Sequence, residues 1–131
     1  MTAPIRVLHV DDEPDVADLT ATFLAREADV IAVETTTSAD EALERIREGT
    51  VDCVVSDYEM AGTDGIELLE AVREAHPELP FILFTGRGSE AVASDAIPAG
   101  VTDYLRKGSD TEQYELLANR IRNALERTRA E

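Results

Sequence analysis

The feature that most constrains this chain is an alternation. Five short apolar runs of β type are each followed by a stretch with helical spacing. The runs are Ile5–Val10, Val30–Thr35, Val51–Ser56, Phe81–Thr85 and Asp103–Arg106. Each helix carries the chain back across the sheet, so consecutive strands end up parallel. The run from Val51 to Ser56 is apolar on both faces, as a central strand covered on both sides must be. The expected fold is α/β: a doubly wound, five-stranded parallel sheet with five helices, in one domain spanning 1–131.

Local signals divide the chain in the same way. Pro14 suits a helix start, and Val16, Leu19, Thr20, Phe23 and Leu24 then recur at helical spacing. Ser38 to Glu41 reads as a capping box, opening a helix with Ala42, Leu43 and Ile46 inward that stops at Gly49. Gly62 to Gly65 is turn chemistry, after which Ile66, Leu69 and Val72 face inward as far as His76-Pro77. Gly86-Arg87-Gly88 is a tight loop, Ser89 can cap a helix, and Pro98 should end or bend it. Asp110 to Gln113 offers another capping box. The last helix carries Leu117, Ile121, Leu125 and Thr128 on one stripe, expected to be core first.

Composition narrows the function. With 44% apolar residues in 131, the chain can bury a genuine core. No run approaches the ~20 apolar residues of a membrane helix, and no secretory leader is visible. Cys53 has no partner for a disulfide, which fits a reducing cytoplasm. The net charge of −16 argues against binding a nucleic-acid backbone. Lys107 is the single lysine, and every other basic side chain is arginine. Strong acidity with almost no lysine points to a protein adapted to high salt, where screening removes self-repulsion. Residues 111–131 hold four acids against four bases, so the last helix is neutral and better suited to contacts.

In a doubly wound sheet the ligand crevice lies at the carboxyl ends of the strands. Those ends are Asp11-Asp12, Thr35, Asp57, Thr85 and Arg106-Lys107. Three carboxylates there repel: a pair at ~4 Å costs about 4 kcal/mol at an effective dielectric near 20. A hard divalent cation relieves this, and Mg²⁺ accepts two or three carboxylates plus a carbonyl. The hydroxyl of Thr85 and the ammonium of Lys107 suit phosphoryl oxygens.

Asp11-Asp12, Asp57, Thr85 and Lys107, with Met60 to Gly65 following the central acid, resemble the receiver domain of two-component response regulators. The resemblance spans essentially the whole chain, and it implies a flavodoxin-like sheet of order 2-1-3-4-5. It implies that Asp57 accepts a phosphoryl group from a histidine kinase, a phosphotransfer protein or a small acyl phosphate. Asp12 and Asp57 would be direct Mg²⁺ ligands, Asp11 would hold a metal-bound water, and the Glu59 carbonyl would add a ligand. Thr85 and Lys107 would bind the phosphoryl oxygens. Tyr104 would be the switch aromatic, rotating inward as Thr85 moves. Output would be a shift of the fourth helix, fifth strand and fifth helix, a surface also suited to a homodimer. The chain would be a phosphoacceptor with slow self-dephosphorylation rather than an enzyme. It could stand alone or form the N-terminal part of a longer regulator or hybrid kinase.

The chain departs from the family at Ala61, where proline is usual, and at Lys107-Gly108, where Lys-Pro with a cis bond is usual. A cis bond before a non-proline residue costs about 2.5–4 kcal/mol. Gly86 should leave the pocket open to water, and a Glu59–Arg87 pair across it is expected to tune phosphoryl lifetime. His9, His76 and Cys53 are expected to be structural. Two other classes share the fold. A flavin carrier would need a phosphate loop after the first strand, where Asp11-Asp12-Glu13 would repel it. A Mg²⁺-dependent phosphohydrolase would turn over external substrate through an aspartyl intermediate.

Overall fold

The computed structural model describes residues 4–27, 30–60, 62–86, 90–108 and 112–130. The elements follow in order: β1 Ile5–Val10, α1 Pro14–Glu27, β2 Ile31–Thr36, α2 Ala39–Arg47, β3 Cys53–Ser56, α3 Gly65–Ala75, β4 Phe81–Thr85, α4 Glu90–Ala99, β5 Asp103–Arg106 and α5 Glu112–Ala130. The five strands form one parallel sheet in the order β2-β1-β3-β4-β5, as expected. Alternating side chains feed two cores. On one face Val7, Val55, Ile82 and Phe84 pack under α1 and α5 with Leu24, Leu117 and Ile121. On the other, Leu8, Val54, Phe81 and Leu83 meet α2, α3 and α4 through Ile46, Leu68, Leu69 and Ala96. Full burial of a Leu, Val or Phe is worth about 1.5–3 kcal/mol each, so aliphatic packing carries the fold without tryptophan.

Six expectations shift. β2 begins at Ile31, because Val30 lies exposed at the strand's entrance. β3 begins at Cys53; Asp52 before it turns its carboxylate to the Arg6 N–H at 2.9 Å, closing the strand's start. Leu19 points to solvent, and Ala17 takes its place in the buried face of α1 with Thr20 and Leu24. In α3 Ile66 is only half-buried, and Leu68 joins Leu69 and Val72 inside. Asp64 caps α3 in a complete capping box with Glu67, where turn chemistry alone was expected. Pro98 does not itself stop α4: it lies inside the helix, one residue before its end at Ala99, and Gly100 follows at φ +96°. A proline in the last turn loses little, since its ring clashes one turn back and its missing N–H removes a single bond.

The end of α4 is held by Arg73 from α3. Its guanidinium donates to the carbonyls of Gly100 at 2.8 Å, His76 at 3.0 Å and Leu79 at 2.6 Å. A fourth, longer contact of 3.4 Å reaches Thr102 Oγ1, which itself accepts from the Phe81 N–H. Burial lowers the Arg73 pKa, and its short hydrogen bonds go to backbone carbonyls rather than to a carboxylate. A hydrogen bond to a charged group contributes about 1.5–3 kcal/mol, discounted here for half-exposure. Arg73→Ala is expected to destabilise the domain by about 2–3 kcal/mol, read as a lower urea midpoint at unchanged slope. Arg73→Lys, a point charge without the planar fork, should recover less than half of that loss.

Candidate functional site

Register brings the acids together. β1 lies between β2 and β3, so the chain leaves β1 in one direction and returns on its other side at β3. Val10 pairs with Ser56, which sets Asp11 beside Asp57 one residue later. The Asp57 N–H donates to Val10 O at 3.0 Å, and the Asp11 N–H to Thr36 O at 3.1 Å. On the far side Thr85 pairs with Arg106, and the Lys107 N–H donates to Thr85 O at 2.9 Å. The strand ends named from the sequence therefore meet at the topological reversal. Gly65 permits this closeness at the start of α3. A Cβ there would lie 2.4 Å from the Asp57 carbonyl oxygen and 2.8 Å from Leu83.

Lys107 Nζ bridges the two inner acids, 3.0 Å from Asp11 Oδ2 and 3.3 Å from Asp57 Oδ2. Burial pulls the Lys107 pKa down, but the bonds and charges of Asp11 and Asp57 outweigh it, and the net shift is upward. Asp11 is fully buried, and its other oxygen accepts the Glu13 N–H at 3.0 Å, holding the turn into α1. Asp57 Oδ1 accepts the Tyr58 N–H at 2.7 Å. Both carboxylates are thus oriented by backbone donors as well as by the ammonium.

A cavity of about 540 Å³ opens beside them. Asp12, Glu13, Asp57, Glu59, Thr85, Gly86 and Lys107 line it, with Val16 and Met60. Asp11 stands behind this lining. The three acids do not converge into a single cage: among the described residues, no three His, Cys, Asp or Glu side chains are grouped to hold a metal. Mg²⁺ does not need such a cage, because one or two carboxylates suffice when waters complete the octahedron. Asp12 and Asp57 offer only hard oxygen donors on one cavity wall, so the donor set fits that ion.

Other expected residues are placed as follows. Thr85 is buried at the end of β4 and lines the cavity. Tyr104 is half-buried against the core on the α3 and α4 side, and its hydroxyl is enclosed with no hydrogen-bond partner among the described residues. Gly86 is exposed at the rim, as an open pocket requires. The peptide bonds of the described residues contain no cis form, so Lys107–Gly108 is trans. Arg87, Gly88, Ser89, Ala61, Asp110 and Thr111 lie outside the described residues, as does the side chain of Thr128; so the expected Glu59–Arg87 pair and two caps fall there too. His9 is structural: it is fully buried, neither ring nitrogen has a partner among the described residues, and burial pushes its pKa down to about 4 against the pull of Asp11. Cys53 is buried likewise, and its thiol is pushed up to about 12. Two interactions went unforeseen: the Lys107 bridge itself, and a pair of hydrogen bonds from Gln113 to Gly108, the residue after it.

Comparison with known proteins agrees with this geometry. The response regulator receiver domain model matches residues 7–119. The nitrogen assimilation regulatory protein NtrX of Azorhizobium caulinodans is 31% identical over 121 residues, covering 91% of this chain and 26% of that protein. A protein-glutamate methylesterase/protein-glutamine glutaminase of a Nocardioides species is 34% identical over 124 residues, covering 92% of this chain and 34% of that protein. A receiver domain protein from Clostridium thermocellum superposes with a TM-score of 0.85 at 26% identity, covering 96% of this chain and 98% of that one. The chain spans about a quarter to a third of the length of those two curated relatives. With this sheet order, this set of strand-end residues and this match across most of its length, the chain belongs to the response regulator receiver domain family, the phosphoacceptor modules of two-component signalling.

Proposed function

We propose that Asp57 is the phosphoacceptor of this receiver, and that 1–131 acts as one receiver unit, alone or as the N-terminal part of a longer regulator or hybrid kinase. The observation that carries the reading is the position of Asp57. It lines the cavity beside Asp12, with the Lys107 ammonium 3.3 Å from its free edge. A sensor histidine kinase or phosphotransfer protein presents the phosphoryl group. An Asp57 carboxylate oxygen attacks phosphorus, the bond from phosphorus to the donor's imidazole nitrogen breaks, and its electron pair stays on the imidazole. Asp12 and Asp57, with the Glu59 carbonyl, would hold Mg²⁺, and Asp11 would orient a water on it. When bound, that ion supplies positive charge for the transferring phosphoryl oxygens.

The product carries about −1.5 to −2 charge among existing acids. Lys107 then moves from the Asp57 carboxylate to the phosphoryl oxygens, and the Thr85 hydroxyl donates to another. Tyr104 follows Thr85. Its hydroxyl is enclosed and has no hydrogen-bond partner among the described residues. An enclosed hydroxyl favours an arrangement in which it finds a partner, which agrees with Tyr104 changing place. The readout surface is α4, β5 and α5, where Ile97 and Leu116 are exposed and a second copy or an output partner can dock. The chain is a switch rather than an enzyme with external turnover. Among the described residues no helix is long and apolar enough to cross a membrane, and the buried Cys53 thiol suits a reducing cytoplasm.

Incubation with Mg²⁺ and acetyl phosphate should add one phosphoryl mass to Asp57, and chelation should prevent it. Asp57→Asn should gain nothing. A mass gain that persists in that variant, or continuous release of phosphate from external substrate, overturns the reading.

The surface reading extends to salt. A net charge of −16 with one lysine repels itself across an acidic shell at low ionic strength. Raising KCl from roughly 0.1 M to roughly 2 M shortens the screening length from about 10 Å to below 3 Å. The melting temperature should rise by about 4 °C or more, the shift that roughly 1 kcal/mol produces in a domain of this size. A flat or falling melting curve across that range would remove salt adaptation from the account.

A further inference from the structure

The β5–α5 junction carries a device outside the phosphoryl chemistry. Gln113, in the first turn of α5, pairs its side-chain amide with the backbone of Gly108 in both directions. The Gly108 N–H donates to Gln113 Oε1 at 2.9 Å, and Gln113 Nε2 donates to Gly108 O at 3.0 Å. A primary amide matches a backbone residue in this way because it offers one acceptor and one donor side by side. Gly108 directly follows Lys107, whose own N–H is held by Thr85 O at 2.9 Å. The Lys107 backbone is therefore fixed from β4 on one side and from α5 on the other. Its ammonium, bonded to Asp11 and Asp57, lies 5.7 Å from the centroid of the Phe84 ring.

We infer that Gln113 is the positioning residue for Lys107: its amide clasp on Gly108 sets where the ammonium stands between the two carboxylates. This rests on the reading of Lys107 as the phosphoryl-binding cation. Lysine needs such help. Its stem is flexible and its head is a point charge, so direction must come from the backbone at its root. Nothing else among the described contacts restrains the chain immediately after Lys107. The second hydrogen bond of the clasp forms with little further loss of freedom once the first has closed, so the pair resists water better than either bond alone. Gly108 also permits the arrangement chemically: proline there would have no N–H to donate.

The lone lysine makes the idea measurable without phosphorylation. Acetylation of Lys107 by an amine-reactive ester, followed by peptide mass spectrometry, reads how well the ammonium is sheltered by its two acids. In Gln113→Ala, which loses both bonds, the reaction should run at least about fivefold faster, the factor that a single lost net hydrogen bond corresponds to. Gln113→Glu separates clasp from helix start. It keeps the acceptor and places an acid where the helix dipole favours one, so its melting temperature should hold, yet it loses the donor to Gly108 O. It should label as fast as Gln113→Ala. Both variants should also slow Asp57 phosphorylation by acetyl phosphate by about tenfold, the order of effect that a misplaced catalytic group produces. On a Lys107→Ala background the same substitutions should slow it no further. Unchanged labelling in both variants overturns the inference, as does an equal phosphorylation loss with and without Lys107. If labelling responds as expected but wild-type Asp57 is never phosphorylated, the clasp stands and the proposed phosphoacceptor fails.

Discussion

Everything at the carboxyl end of this sheet depends on one ammonium meeting two carboxylates. Asp11 is wholly inside the protein, and Asp57 is close to it across the β1–β3 ladder. Two such charges alone would cost several kcal/mol, and the register of the sheet forbids them to separate. Lys107 offsets this at 3.0 and 3.3 Å while remaining a single, movable charge. That mobility is what distinguishes the arrangement from a static buried ion pair. A cation that stabilises Asp11 and Asp57 in one state is available to another anion as soon as a metal takes over the carboxylates. In the proposed reading the metal and the lysine serve the same acids in turn, and the phosphoryl group is where the released lysine goes.

The fold makes that exchange local. Strand ends are fixed by ladder hydrogen bonds that continue one residue past each strand, at Asp57 N to Val10 O and Lys107 N to Thr85 O. The α3 helix begins hard against the Asp57 carbonyl because Gly65 has no Cβ to keep it away. Arg73 ties the far end of α4 to α3 and to the entrance of β5. The cavity end thus keeps exposed Gly86, while the opposite end is closed by a guanidinium and three carbonyls. Rearrangement beside Asp57 can then reach α4 and β5 without loosening the sheet that positions the acids.

Much of this was legible in the residues. Strand type and order of elements followed from apolar runs and turn signals, and β1, β4 and β5 begin and end where those runs do. The strand-end rule then picked out Asp11, Asp12, Asp57, Thr85 and Lys107, because ligand position in such folds depends on topology rather than on side-chain detail. What failed to show was whatever depends on the path of a side chain to a distant backbone atom. Leu19 fits the helical period of α1 yet faces solvent, since period alone does not say how wide the buried stripe is. Arg73 is an unremarked arginine in sequence; two of its carbonyl acceptors, His76 and Leu79, are local, but the third, Gly100, lies 27 residues on and meets it only after folding. The acids suggested a metal; that Lys107 also bridges two of them, Asp11 and Asp57, did not show, because periodicity carries no information about a side chain arriving from 96 and 50 residues away.

Gln113 sharpens the same point. Its place three residues after Asp110 reads as half of a capping box, a local helix-start signal. In the fold its amide also closes on Gly108, so a side chain in the first turn of α5 fixes the residue beside Lys107. A rigid proline after Lys107 and a hydrogen-bonded glycine are mutually exclusive solutions to one problem. The first restrains the backbone covalently and donates nothing; the second needs the free N–H that proline lacks. The glycine at 108 is therefore informative only together with the glutamine at 113. Read singly, each is a common residue in a common place; read as a pair, they supply by two reversible bonds the restraint that this chain does not build into its covalent geometry.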